Sequence, residues 1–126
     1  MRIDHIGLWA GDLEAVRAFY ETYFGATSGP KYTNPAKGFE SYFLTFPTGG
    51  ARLEVMRIAG LTPRPPAAAG YAHLAVAVGS EAAVDALAAR LRADRYAVID
   101  GPRRTGDGYY ECVVLDPEGN RVEVTA

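Results

Sequence analysis

Bulky apolar residues fall at every second position in two short stretches of this chain. Ile6 and Leu8 do so between His5 and Trp9, and Leu74, Val76 and Val78 do so between Tyr71 and Ser80. That period predicts strands whose two faces differ. Asp12 and Ser80 follow, each able to offer a side-chain oxygen to a free amide in the first turn of a helix. Behind them the spacing becomes helical, with Val16, Phe19, Tyr20 and Tyr23 in one stripe and Val84, Leu87, Ala88 and Leu91 in the other. Gly25 predicts a left-handed cap on the first helix, and Asp94-Arg95 marks the end of the second. Strands are expected again over Ser41 to Phe46 and over Glu111 to Asp116. The turns Pro47-Thr48-Gly49-Gly50 and Pro117-Glu118-Gly119-Asn120 then predict hairpins, closed by Leu53-Glu54-Val55 and Val122-Glu123-Val124. Ser28 to Tyr32 and Ala97 to Asp100 complete each set as a second strand.

The two sets are one pattern written twice. An offset of 68 residues lays His5 over His73 and Asp12 over Ser80, and an offset of about 70 lays Gly38-Phe39 over Gly108-Tyr109. Each copy reads βαβββ, so the expected fold is α+β. Module 1 covers about 1–58 and module 2 about 71–126, in one domain over 1–126. The linker, 59–70, is too rich in proline for regular structure.

Duplication gives four polar residues a common explanation. Both histidines of the chain, His5 and His73, sit at equivalent places on the first strand of a module. Glu54 and Glu123 sit at equivalent places on the last strand, each between two apolar residues, so each points to the opposite face from its neighbours. If helices cover the bulky faces, the other faces carry His5, Gly7 and Trp9 in one module and His73, Ala75 and Ala77 in the other. Small residues beside polar ones leave room for a ligand. Two imidazoles and two carboxylates converging there make a site for one divalent ion, Zn, Ni, Co, Fe or Mn. The plain alternative is two satisfied core histidines and two exposed strand-edge glutamates.

Composition narrows the partners. A net charge of −2 offers no basic field for nucleic acid or anionic lipid. No apolar run approaches the length of a membrane span, and the opening MRIDHIGLWAGD lacks the apolar core of a signal peptide. A single cysteine, Cys112, excludes an internal disulfide and fits a reducing, cytoplasmic compartment.

From IDHIGLWAGDLEAVRAFYETYFGA through RLEVM and YAHLAV to DPEGNRVEV, the chain resembles the vicinal oxygen chelate superfamily, which includes glyoxalase I and the bleomycin-resistance proteins. The resemblance implies curved mixed sheets enclosing a metal cavity, with His5, Glu54, His73 and Glu123 as the ligands. Two histidines and two glutamates look like the ligand set of glyoxalase I, in which a Lewis-acidic metal binds vicinal oxygens while a carboxylate moves a carbon-bound proton. By that similarity Glu123 is the base and Glu54 its counterpart. Glyoxalase I proteins commonly carry an arginine where this chain has Trp9, which offers stacking in place of charge. Arg52 or Arg103-Arg104 are the alternative sources of a cation. Tyr109 and Tyr110, in the turn TGDGYYE, join Trp9 as candidate substrate contacts. The aromatic residues Phe39, Tyr42 and Phe43 keep a second reading open, a small-molecule binding protein of the bleomycin-resistance type without catalysis. Open sheet edges and the resemblance together imply a homodimer.

Overall fold

The computed structural model describes residues 1–62, 65 and 69–126. It divides the chain into two units, Met1–Pro66 and Ala67–Ala126. Of the expected linker, residues 63, 64 and 66–68 lie outside the described residues.

The first unit contains β1 (His5–Trp9), α1 (Leu13–Phe24), β2 (Thr27–Ser28), β3 (Tyr32–Asn34), β4 (Phe39–Thr45) and β5 (Arg52–Ile58), with one 3-10 turn at Pro35–Lys37. Its sheet runs β1-β5-β4-β2, with β3 also on β4. The second unit contains β6 (Leu74–Ala77), α2 (Glu81–Ala93), β7 (Val98–Arg104), β8 (Tyr110–Leu115) and β9 (Arg121–Thr125), in the order β6-β9-β8-β7. In both sheets the first strand pairs parallel with the last, and the other pairs are antiparallel. The fold is α+β, two mixed sheets each with one helix.

Local chemistry sets the helix ends. Asp12 accepts from the Ala15 amide at 3.0 Å, and Ser80 accepts from the Ala83 amide at 3.2 Å. Gly25 closes α1 in the left-handed region, φ 63°. Val16, Phe19 and Tyr20 of α1 are buried with Leu44, Leu53 and Val55, while Val84, Ala88 and Leu91 of α2 are buried with Cys112, Val114, Val122 and Val124. Each large apolar side chain that leaves water there contributes about 1.5–3 kcal/mol. That gain is concentrated on the helix-bearing faces, so the opposite, open faces can carry polar groups.

Three details differ from the pattern. Phe24, not Tyr23, completes the buried side of α1, because it continues the i, i+4 row from Val16 and Tyr20. The second strand of the first unit is split into β2 and β3, since Pro30 between them has no amide to give a ladder. β7 runs on past Asp100 to Arg104 through two register shifts against β8. Within the second shift Gly101 stands at φ 72°, and a Cβ there would lie 2.6 Å from the Glu111 carbonyl oxygen. Only glycine fits that approach. The shifts bring Asp100 opposite Val113 and Arg103 opposite Glu111, putting both on the open face.

Candidate metal centre

In the first unit, parallel pairing sets Gly7 opposite Glu54, with His5 two residues earlier on the same face. Gly7 contributes no side chain, and the space a Cβ would need is filled by the tip of Met56, 2.8 Å away. His5 Nε2 and Glu54 Oε2 stand 3.7 Å apart. The other ring nitrogen, Nδ1, lies 3.0 Å from Asp4 Oδ2, and Arg52 Nη2 donates to that same oxygen at 2.6 Å. The hydrogen bond to His5, then the hydrogen bond and charge of Arg52, hold the Asp4 carboxyl down at about 2. An anionic acceptor at Nδ1 places the ring proton there and leaves the Nε2 lone pair facing Glu54.

The second unit repeats the arrangement. Ala75 is opposite Glu123, His73 immediately precedes β6, and His73 Nε2 stands 3.2 Å from Glu123 Oε2. The burial is the reverse of what core histidines and edge glutamates would show. The histidine side chains are 42% and 41% exposed, and the glutamates only 18% and 23%.

Each pair has the spacing of two ligands on one ion. With metal–donor bonds of about 2.1 Å, neighbouring donors lie about 3.0 Å apart on an octahedral ion and about 3.4 Å apart on a tetrahedral one. The observed 3.2 and 3.7 Å fall close to those values. Imidazole nitrogen with carboxylate oxygen suits a borderline divalent ion. Within neither unit, among the described residues, do three or more His, Cys, Asp or Glu side chains come together to hold a metal, so each unit offers a pair.

The other candidate residues divide by face. Trp9 lies on the open face of the first unit, 48% exposed, edge-on to Phe39 at 6.3 Å. Phe43 meets the His5 ring edge-on at 5.3 Å and lies under the Arg52 guanidinium at 4.3 Å. Tyr110 belongs to the helix side instead. It shares the alternation of Cys112 and Val114, and its hydroxyl donates to Asp85 of α2 at 2.7 Å. Tyr42 does the same in the first unit, donating to Glu14 of α1 at 3.0 Å. Tyr109 is exposed in a turn closed by its own backbone bonds to Thr105.

The arginines expected to supply a cation are already engaged. Arg52 is held by Asp4, Arg103 by Asp100 at 2.6 and 2.9 Å, and Arg104 by Glu81 and the Gly108 carbonyl. A cavity of about 320 Å³ beside the start of α1 is lined by Asp12, Glu14, Lys31, Glu40 and Arg57. Its cations face Glu14 and Glu40 on the helix side of the sheet, apart from the His5–Glu54 pair. One contributor is not singled out by the pattern: Asp4 is signalled in the sequence only by its adjacency to His5.

The family model described as Glyoxalase/Bleomycin resistance protein/Dioxygenase superfamily matches residues 2–124. The uncharacterized protein PA2024 of Pseudomonas aeruginosa is 36% identical over 124 residues, covering 96% of this chain and 85% of that one. Among solved structures, a possible glyoxalase from Bacillus cereus is 27% identical with a TM-score of 0.74, over 100% of this chain and 99% of that one. The trypanothione-dependent glyoxalase I of Leishmania major is 24% identical with a TM-score of 0.79, over 99% and 86%.

Proposed function

The chain belongs to the Glyoxalase/Bleomycin resistance protein/Dioxygenase superfamily, and from that membership we propose that it is a metal-dependent isomerase or lyase of the glyoxalase I type. The observation that carries the reading is the repetition of one His–Glu pair, at ligand spacing, on the open face of both sheets. His5 and Glu54 with His73 and Glu123 then make up four donors to one divalent ion, whether the two pairs come from one chain or from two. Such an ion, when bound, supplies a Lewis acid for the two adjacent oxygens of a substrate and offsets the negative charge that grows on them.

The chain's own residues supply the rest. Asp4 holds His5 at Nδ1, which turns Nε2 toward Glu54 as the ligand atom. Glu123 is the base: one carboxylate oxygen takes the proton from the carbon beside one substrate oxygen and returns it to the neighbouring carbon. Its half-buried position, with apolar Val113 opposite it on β8, limits the water that would carry that proton away. Glu54, opposite Gly7 and Phe43, is its counterpart in the first unit.

The deciding experiment is elemental analysis of purified protein, expected to give one divalent ion for each His5/Glu54/His73/Glu123 set. Replacing His73 by Ala should abolish stoichiometric metal with little change in circular dichroism, because the apolar side of β6 is untouched. Thiohemiacetals of several cellular thiols are the first substrates to screen. Wild-type protein that binds no metal would end this reading and favour a catalytically silent binder of the bleomycin-resistance type, for which the exposed ring of Trp9 against Phe39 speaks. We also propose a homodimer in the cytoplasm; light scattering that reports a monomer would remove the first part. No helix among the described residues is long and apolar enough to cross a membrane.

A further inference from the structure

The duplicated sheets let one row of side chains be compared with its own copy. In the first unit the row beside the Gly7–Glu54–Phe43 row reads Trp9, Met56, Ser41, Tyr32 across the open face. The matching row of the second unit reads Ala77, Thr125, Glu111, Arg103. One copy has become aromatic where the other has become polar and charged. Phe39 extends the aromatic row by a further step, with Trp9 at 6.3 Å and Tyr32 at 6.1 Å from its ring. Trp9 and Tyr32 keep 48% and 56% of their surface exposed.

Among the described residues, the strand positions that make up that ledge carry no charged side chain. Glu40 and Arg57, the charged residues of β4 and β5 that flank it in sequence, stand on the helix face, where Lys31 joins them. Arg52 lies at the other end, against His5, and is held by Asp4 and by the Phe43 ring. A carboxylate laid along the ledge would lose water without gaining a cation. A flat apolar ring would gain burial and edge contacts. From Glu54 the ledge spans two to four residues along the strand, about 7–13 Å.

We propose that the ligand of the His5–Glu54 pair carries an aromatic group about 7–13 Å from its oxygen pair, and no carboxylate at that end. The oxygen pair rests on the metal reading above; the aromatic end rests on the ledge alone.

Trp9 is the only tryptophan of the chain, so its emission reports on the ledge directly. The probes are three hydroxamates of similar length, ending in phenyl (phenylvaleric hydroxamic acid), methyl (valeric hydroxamic acid) or carboxylate (adipic acid monohydroxamate). Each is paired with its primary amide, which cannot chelate. They are titrated into zinc-loaded protein, following Trp9 emission and binding heat. The phenyl probe should bind about tenfold more tightly than the other two, the worth of one well-made aromatic contact, with a blue shift of Trp9. Phe39→Ala should erase the preference and leave the methyl probe unchanged. If all hydroxamates outbind their amides equally, the ledge proposal is overturned and the metal reading stands. If hydroxamates match their amides while the phenyl preference persists, the metal reading fails and the ledge stands. Equal binding of the carboxylate and phenyl probes overturns the proposal. So does a Trp9 emission that ignores every probe but changes on dilution, the sign of a second copy on the ledge.

Discussion

Removing Asp4 tests the reading of the first unit without touching a donor. Asp4 holds His5 Nδ1 at 3.0 Å and takes a second bond from Arg52 at 2.6 Å. In Asp4→Ala the imidazole loses its anionic anchor, so the Nε2-donor tautomer and the ring orientation are no longer fixed. Outer partners of this kind are worth about 10–100-fold in metal affinity. The lower end applies here, because Asp4 is half exposed and water can replace part of the bond. The expected loss is therefore about tenfold. Asp4→Asn keeps an acceptor oxygen but not the charge, and should fall between Asp4→Ala and wild type. The assay is zinc competition against a chromophoric chelator, with His5→Ala as the reference for full loss. The Asp4 carboxyl is held at about 2, so Asp4 itself stays charged throughout the neutral range. An Asp4→Ala protein with wild-type zinc affinity would refute the tautomer argument, and a loss as large as that of His5→Ala would mean that Asp4 is itself a ligand.

Glu123→Gln keeps a weak oxygen donor but cannot accept a proton, so activity should fall by about 10²–10⁴-fold while metal content falls less than in His5→Ala; a fully active variant would move the base to Glu54. Tyr110→Phe, by contrast, should leave metal and activity unchanged, since its hydroxyl is bonded to α2, and a large loss of activity would return it to the site. Gly101→Ala should lower stability in urea by at least about 2 kcal/mol, the sum of a positive φ and a 2.6 Å approach to a backbone oxygen; an unchanged midpoint would contradict the geometry. Burial pushes the Cys112 thiol up to about 11, so a thiol reagent near pH 8 should label it only after unfolding, and rapid labelling of native protein would sink that claim.

Much of this was legible in the sequence because the chain is duplicated. His5 alone is an ambiguous imidazole; His5 matched by His73, and Glu54 by Glu123, is a pattern, and the two 3.2–3.7 Å pairs are its physical form. Caps at Asp12, Ser80 and Gly25 were readable because each depends on one residue's own chemistry. What could not be read depends on partners distant in sequence. Nothing local announces that Asp4 ties His5 to Arg52, or that Gly101 lies against the Glu111 carbonyl. Tyr110 is a different case. Its alternation with buried Cys112 already placed it on the helix side, and the glycine-rich turn before it suggested otherwise only by proximity.

Each His–Glu pair joins the start of its unit to the last strand, two positions about fifty residues apart in a chain that must otherwise pair neighbours. The hairpins β4–β5 and β8–β9 close short loops and are inexpensive in chain entropy; the parallel docking of β1 on β5, or of β6 on β9, closes a long one and belongs late in folding. Neither His–Glu pair therefore exists until its unit is essentially complete. Metal uptake should lag behind secondary structure in a refolding experiment, and an ion added early should not accelerate the formation of either sheet. The ion would act as a latch on finished halves, slowing their opening more than it speeds their assembly.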